Sequence, residues 1–305
     1  MNLLTEVTSK AIAIYLDKRE YAKRYYPSFF PLKYTPFLSY ETLIGTKGIS
    51  AADIVSYNSS APEKTRKTVD RLRGDLPAIR VKRIMDEVAL NEYNVIKATL
   101  KTDADMQNLL NLVYDDVDFV VESVQERCEW IALQAMSQTV ISLSASNNAG
   151  VITEDSINFG LPTANKEYVG GATADRVWSV ANAATSEPIT DIMTICSEAK
   201  AAGVKIKHIL MNLSKFIDFK ASDQVKDFVY GLLISEAGII PTVAPTLKTI
   251  NRALVESGLP DIIVIDCSVD IENEDHDITA VDPWELAAND KYVLLVPELP
   301  LGKML

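Results

Sequence analysis

One long stretch of this chain carries apolar residues at helical spacing without a break. From Asp103 to Ser142 there is neither Gly nor Pro. Met106, Leu109, Leu110, Val113, Val117, Val120, Val124, Cys128, Ile131 and Ala135 recur three and four positions apart. The pattern predicts one helix over 103–142, about 55–60 Å long and longer than a compact domain of this size needs.

Before it, helical patterning at Val7, Ala11, Ile14 and Tyr15 gives way to Tyr25, Tyr26, Pro27, Phe29, Phe30, Pro31 and Leu32. An aromatic and proline mix of that kind suits an extended segment docked on another surface. Residues 1–45 therefore read as an arm. From Ile44 to about Leu100 a strand-and-loop pattern is interrupted by Gly45, Gly48, Pro62, Gly74 and Pro77, with too little apolar content for a core of its own.

After the long helix, Val151 to Val177 reads as small antiparallel strands, punctuated by Gly160, Pro162, Gly170 and Gly171. Ser186-Glu187-Pro188 then signals a helix start. Ile189, Ile192, Ile195, Cys196 and Ala199 form its apolar face and Gly203 its stop. A buried strand through Ile206, His208, Ile209, Leu210 and Met211 leads to Asn212, read as the cap of a helix carrying Leu213, Phe216 and Ile217. Another helix around Val225 to Ile234 and apolar strands at Ile262 to Asp266 and Tyr292 to Val296 complete a compact α/β or α+β unit over 187–297.

Charge adds a second level of organisation. The helix carries Asp105, Asp115, Asp116, Asp118, Glu122, Glu126 and Glu129 against a lone Arg127, and these read as an exposed acidic face. The segment Glu63 to Arg83 holds Lys64, Arg66, Lys67, Arg71, Arg73, Arg80, Lys82 and Arg83 against Glu63, Asp70 and Asp75. That strip has three readings: a solvated surface, a nucleic-acid contact, or a partner-binding strip complementary to the chain's own helix. It lacks interleaved aromatics for base stacking, which weakens the second. Complementarity of the third kind chiefly sets register and specificity.

The composition, 305 residues with 48% hydrophobic and 24% charged, is that of one elaborate globular domain or two. A formal charge of -12 argues against general nucleic-acid binding as the main task. No apolar run approaches a membrane span, and residues 1–10 lack a secretion signal. Cys128, Cys196 and Cys267 are isolated and read as reduced, partly buried thiols.

Catalytic chemistry finds no positive support. Gly170-Gly171 has no phosphate-loop context. His208 falls in an apolar strand, where a catalytic role needs a nucleophile or carboxylate partner. The acidic run Glu272 to Asp277 around His276 lacks the spacing and central Gly of a calcium loop and reads as a solvated loop between strands. Neighbouring acids such as Asp115 and Asp116 diverge around a helix and do not share a site. No cofactor and no metal ion is expected.

The order of these parts resembles the tailed-bacteriophage major capsid proteins, specifically the phage lambda major capsid family. The likeness spans nearly the whole chain. It is carried by Phe29-Phe30-Pro31, Leu43-Ile44-Gly45, the basic Arg71-Leu72-Arg73-Gly74-Asp75-Leu76-Pro77, and Glu126 to Ala135 of the long helix. Glu187 to Ile192, Ile209 to Asn212 and Val293 to Pro297 complete it.

The resemblance implies an α+β, Hong Kong 97-type phage capsid fold. An amino-terminal arm (1–45) leads to an extended loop (46–100). A peripheral domain on a long spine helix (101–186, returning at 298–305) and an axial α/β domain (187–297) follow. It also implies self-assembly of hexamers and pentamers into an icosahedral head in the host cytoplasm. The expected partners are a separate scaffolding protein, a portal and packaged DNA held by weak non-specific contact; whether a decoration protein caps the lattice stays open. The inter-subunit contact is expected between Lys64, Arg66, Arg71, Arg73, Arg80 and Arg83 of one copy and Asp115, Asp118, Glu122, Glu126 and Glu129 of the next.

Two features depart from the broader pattern. No long charge-rich helical segment precedes the arm, hence the separate scaffold. The family usually continues past a segment like Leu301-Gly302-Lys303, so completeness of the last peripheral strand stays open. The competing readings are an encapsulin-like cargo shell and a cytosolic α/β enzyme with its site in 187–297.

Overall fold

A long helix and a three-stranded sheet, packed against each other, organise the chain. The structure, a computed structural model, describes residues 9–37, 39–45, 69–75, 78–83, 87–88, 91, 94–95, 103–144, 147–148, 156–162, 165–166, 176–233, 244–273, 277–285 and 292–305. In chain order the elements are α1 (Ser9–Lys18), α2 (Tyr26–Phe29), β1 (Ser39–Gly45), β2 (Val69–Asp75), α3 (Asp103–Ser137), β3 (Val140–Ser142) and β4 (Ser156–Asn158). They continue with α4 (Pro188–Ala201), β5 (His208–Asn212), α5 (Leu213–Ala221), α6 (Asp223–Leu233), α7 (Leu247–Glu256), β6 (Asp261–Ile265), β7 (Val269–Glu272), β8 (Ile278–Val281) and β9 (Val293–Val296). Helix and sheet are thus mixed, an α+β chain.

The central sheet has the order β6-β5-β9, with β5 parallel to β6 and antiparallel to β9. Alternation along β5 divides its side chains between two cores. Ile209 and Met211 join Ile192, Phe216, Phe219, Val225, Val229, Ile250 and Leu254, contributed by α4, α5, α6 and α7. Leu210 turns the other way, with Ile265 and Val296, onto Leu133 and Met136 of α3, Phe29 of α2 and Trp284. Residues of 187–297 thus supply most of the first core, joined by Trp178, and share the second with the helix and the arm.

A third cluster joins α3 to two hairpins: Trp130 packs with Ile141 of β3 and with Val269 and Ile271 of β7. Three bodies thus meet the carboxyl half of α3. Its buried apolar residues among those described are Trp130, Ala132, Leu133 and Met136, while Val117, Val120, Val124, Cys128, Ile131 and Ala135 of the expected stripe are half-buried. A single-stripe pattern describes a helix with one apolar contact; this one is contacted from several sides.

The helix also ends earlier than its composition suggests. Its 35 residues run for about 52 Å. Gln138 and Thr139 donate the last helical amide bonds to Gln134 and Ala135 at 2.8 and 3.2 Å, and Thr139 then adopts φ 63°. That left-handed turn is the role usually given to Gly, and here a β-branched residue fills it at a cost in strain. Beyond it Val140 to Ser142 leave as a strand.

Local signals explain the other boundaries. Asn212 caps α5 by accepting the Lys215 amide at 2.9 Å. The α4 start uses Pro188 in the first turn, but Glu187 makes no side-chain cap; Gln224 of α6 accepts the Ile189 amide at 2.9 Å instead. Gly203, at φ 80°, follows the end of α4.

The arm folds back on its own chain. Phe29 is buried, its carbonyl accepts the Leu301 amide at 2.9 Å, and the Lys33 amide bonds the Met304 carbonyl at 2.7 Å. Gly302 lies so near the Phe30 ring that a Cβ there would meet it at 3.3 Å. In contrast, β1 and β2 form an antiparallel ribbon, Leu43 opposite Arg71 and Glu41 opposite Arg73, whose extensive contacts among the described elements are with each other. No described helix is long and apolar enough to cross a membrane.

Candidate inter-subunit surface

The acids assigned from sequence to an exposed face of α3 differ widely in environment. Asp115 is exposed and Glu122 half-buried, but Asp118 and Glu129 are buried. Residues of the arm account for the burial. Asp118 accepts the Tyr15 hydroxyl at 2.7 Å and the Tyr21 hydroxyl at 3.3 Å, and pairs with the Arg19 guanidinium at 3.2 Å. Glu126 pairs with Arg24 at 2.6 Å. Glu129 accepts the backbone amides of Tyr25 and Tyr26 at 2.8 and 2.7 Å.

The energetic weight of these contacts differs along the helix. Glu129 is a buried charge satisfied by two charge-assisted bonds to amides that have no other partner there, an arrangement costly to break. Arg19 is half-exposed, so its pair with Asp118 is screened and contributes about 0–1 kcal/mol. The pair of Arg24 with Glu126 is incomplete: Arg24 Nε and Glu126 Oε2 are buried without a partner. The Asp118 bond raises the Tyr15 hydroxyl above its usual range, and burial, followed by the Asp118 charge, does so for Tyr21. Both phenols stay protonated donors at neutral pH.

The cationic strip is also distributed unevenly. Lys64 and Arg66 lie outside the described residues, as do Lys67, Gly170, Gly171 and His276. Arg71 and Arg73 stand in β2 of the ribbon. Arg80 is exposed. Arg83 pairs with Asp116 of its own helix at 3.1 Å and stacks over Phe119 at 4.7 Å. The expectation of a uniformly free acidic face is thus corrected: Asp118, Glu126 and Glu129 engage the subunit's own arm, because the segment 15–26 runs along α3.

Sequence reasoning missed Tyr15, Arg19, Tyr21 and Arg24 as the partners. A signal existed: Asp118, Glu122, Glu126 and Glu129 repeat at helical spacing, and Tyr15 and Arg19 are four apart on α1 and its immediate continuation.

Elsewhere the titratable groups serve packing. His208 Nδ1 lies 2.6 Å from Asp261 Oδ1 across the parallel β5–β6 pair, which supplies the carboxylate partner that the sequence could not place. Its opposite cross-strand neighbour is Val296. Burial pushes the thiols of Cys128 and Cys196 up, and burial with nearby Glu129 and Asp282 pushes Cys267 up to about 12. Among the described residues no group of His, Cys, Asp and Glu is arranged to hold a metal ion.

No curated protein matches the chain. The sequence model of the phage major capsid protein E family matches residues 29–254, from the buried Phe29 of α2 into α7 and across well over half the chain. That family is structural rather than enzymatic, and its place is the virion capsid. This chain belongs to the phage major capsid protein E family and is a structural subunit of a phage shell.

Proposed function

We propose that the subunit adopts the Hong Kong 97-type arrangement and tiles as hexamers and pentamers into the icosahedral head of a tailed bacteriophage. In this reading 1–45 is the arm and 46–100 the extended loop. The peripheral domain, 101–186 with 298–305, is built on α3, and 187–297 is the axial domain.

One observation carries the reading. The β1–β2 ribbon makes its extensive contacts within itself among the described elements. An isolated two-stranded ribbon is marginal in water, and its unpaired edges are templates for another chain. Alternation puts Tyr40, Thr42, Ile44, Asp70 and Leu72 at positions sharing one face, and Glu41, Leu43, Val69, Arg71 and Arg73 at positions sharing the other. A ribbon with both arginines at positions of one face is suited to lie over an acidic surface of a neighbouring subunit.

The basic strip, Lys64, Arg66, Arg71, Arg73, Arg80 and Arg83, then meets Asp115, Asp118, Glu122 and Glu126 of that neighbour, while Glu129 stays on the amides of its own arm. Exposed pairs contribute about 0–1 kcal/mol each. They set register, while apolar burial and repetition hold the shell. A separate scaffolding protein and a portal complete the particle, which is assembled in the host cytoplasm. DNA is enclosed with weak non-specific contact, since a subunit of net charge -12 needs counterions beside it.

The test is the double reversal Arg71→Glu and Arg73→Glu. The subunit is expected to stay folded by circular dichroism and to lose particles by negative-stain microscopy. Normal particles from the double variant would remove the pairing from the account.

A further inference from the structure

The row of acids on α3 has a local occupant, and the quality of that occupancy changes along the arm. Residues 25–33 are rooted: Tyr26 and Phe29 are buried, Glu129 holds the amides of Tyr25 and Tyr26, and Leu301 and Met304 bond the backbone at Phe29 and Lys33. Residues 14–24 are not; none of them is buried. The contacts that seat this front half on α3 run between side-chain ends, from Tyr15, Arg19 and Tyr21 to one carboxylate, Asp118, and from Arg24 to Glu126. The Arg24–Glu126 pair is monodentate and leaves one donor and one acceptor buried without partners. A guanidinium can take two parallel bonds from a carboxylate, so the present arrangement leaves this acid under-used.

The basic strip offers the same chemistry that the arm supplies, guanidinium groups at intervals. Arg83 already illustrates it on Asp116, two residues from Asp118 and on another side of the helix. Two sets of cations, one in the arm and one in the strip, therefore suit a single row of acids. An acid row so placed cannot serve both fully at once.

We propose that residues 14–24 are an intramolecular latch, occupying Asp118 and Glu126 in the free subunit until the basic strip of a second copy displaces them. The site is thus one surface with its own arm as temporary occupant and a sister chain's guanidinium-bearing ribbon as the final one. This rests on the docking of ribbon on helix given above. It adds that association competes with arm seating, so that a free subunit is held back from premature contact. Glu129 and the root at 25–33 stay in place throughout and keep the released segment tethered beside the helix.

The test uses the full chain and leaves every acid of α3 intact. Y15F/R19Q/Y21F removes the arm's donors to Asp118, and R24Q, made separately, frees Glu126. Two readouts are taken: trypsin cleavage at Lys18 and Lys23 of the isolated subunit, and the concentration dependence of association by sedimentation velocity. The triple variant is expected to be cleaved faster and to associate at a concentration lower by roughly fivefold, the scale of a few exposed polar contacts. R24Q is expected to move both readouts in the same direction.

Faster cleavage with an unchanged or higher association threshold overturns the competition, and leaves the Arg71 and Arg73 reversal to stand or fall separately. Unchanged cleavage in both variants overturns the latch itself. If instead the Arg71 and Arg73 reversal assembles normally while the arm variants behave as expected, the arm gates association but the basic strip is not what replaces it.

Discussion

Glu129 Oε2 accepts the backbone amide of Tyr26 at 2.7 Å across 103 residues of sequence, and its other oxygen takes the Tyr25 amide. One acid on the helix thereby fixes where the arm enters the protein. Glu129→Ala leaves two amides facing a buried space without an acceptor, a loss of about 3 kcal/mol at the usual cost of unsatisfied buried donors. Urea denaturation measures it. Glu129→Gln keeps one acceptor and is expected to lose roughly half as much. A change below about 1 kcal/mol in the alanine variant would show that the arm is not rooted there.

Thr139 holds a left-handed conformation that L side chains occupy at a cost, and its hydroxyl is buried without a partner. Thr139→Gly relieves both and is expected to raise stability by about 1 kcal/mol after the entropy of glycine is subtracted. Thr139→Ala removes the hydroxyl but keeps the strained backbone, so its gain is smaller. Thermal melts that rank alanine above glycine place the strain elsewhere.

Asn212 serves two structures at once. Its carbonyl caps α5, while its amide nitrogen donates to Asp282 and Glu285, both at 2.8 Å. Asn212→Asp preserves the cap and sets a third carboxylate against the other two. Like charges so near disfavour one another, so this variant is expected to lose more stability at pH 8 than at pH 5. Denaturation at the two pH values decides it; equal losses mean that the acids are not close in solution.

Cys267 gives an alkaline signature. Its folded thiol is pushed up to about 12 from a usual value of 9.0. The folded state therefore keeps a proton that the unfolded state releases between those values. Stability from this group is complete below pH 9 and declines as pH rises, by at most about 1.4 kcal/mol per pH unit. Tyr21 and Tyr26, also raised by burial, act in the same direction. Comparing the pH slope of Cys267→Ala with the unaltered protein isolates the thiol; identical slopes refute its burial.

Much of this architecture was legible in the sequence, for local reasons. Asn212 as a cap, Pro188 in the first turn of α4 and Gly203 after its end carry their geometry in their own chemistry. The α7 helix carries a readable signal too, in Leu247, Ile250 and Leu254, but its short run between prolines at 241 and 245 and Gly258 masks the helical period. The end of α3 was not readable, because Thr139 does the work of a glycine and only its tertiary surroundings enforce that. The engaged state of Asp118, Glu126 and Glu129 was hidden for a related reason. A charged row on a helix looks solvated until a segment a hundred residues away is known to lie along it.

The sheet edge β9 and the segment 301–304 are synthesised long after the partners they close upon, Leu210, Leu133 and Phe29. A nascent chain therefore emerges with β5 lacking one neighbour and with its amino-terminal root held by Glu129 but not yet by Leu301 and Met304. Only when translation has passed residue 304 does the final strand zip in and pin the beginning of the polypeptide. Segments nearly three hundred residues apart are in this way closed on one another, so a copy still lacking residues 293–304 has neither its full sheet nor a fully anchored beginning.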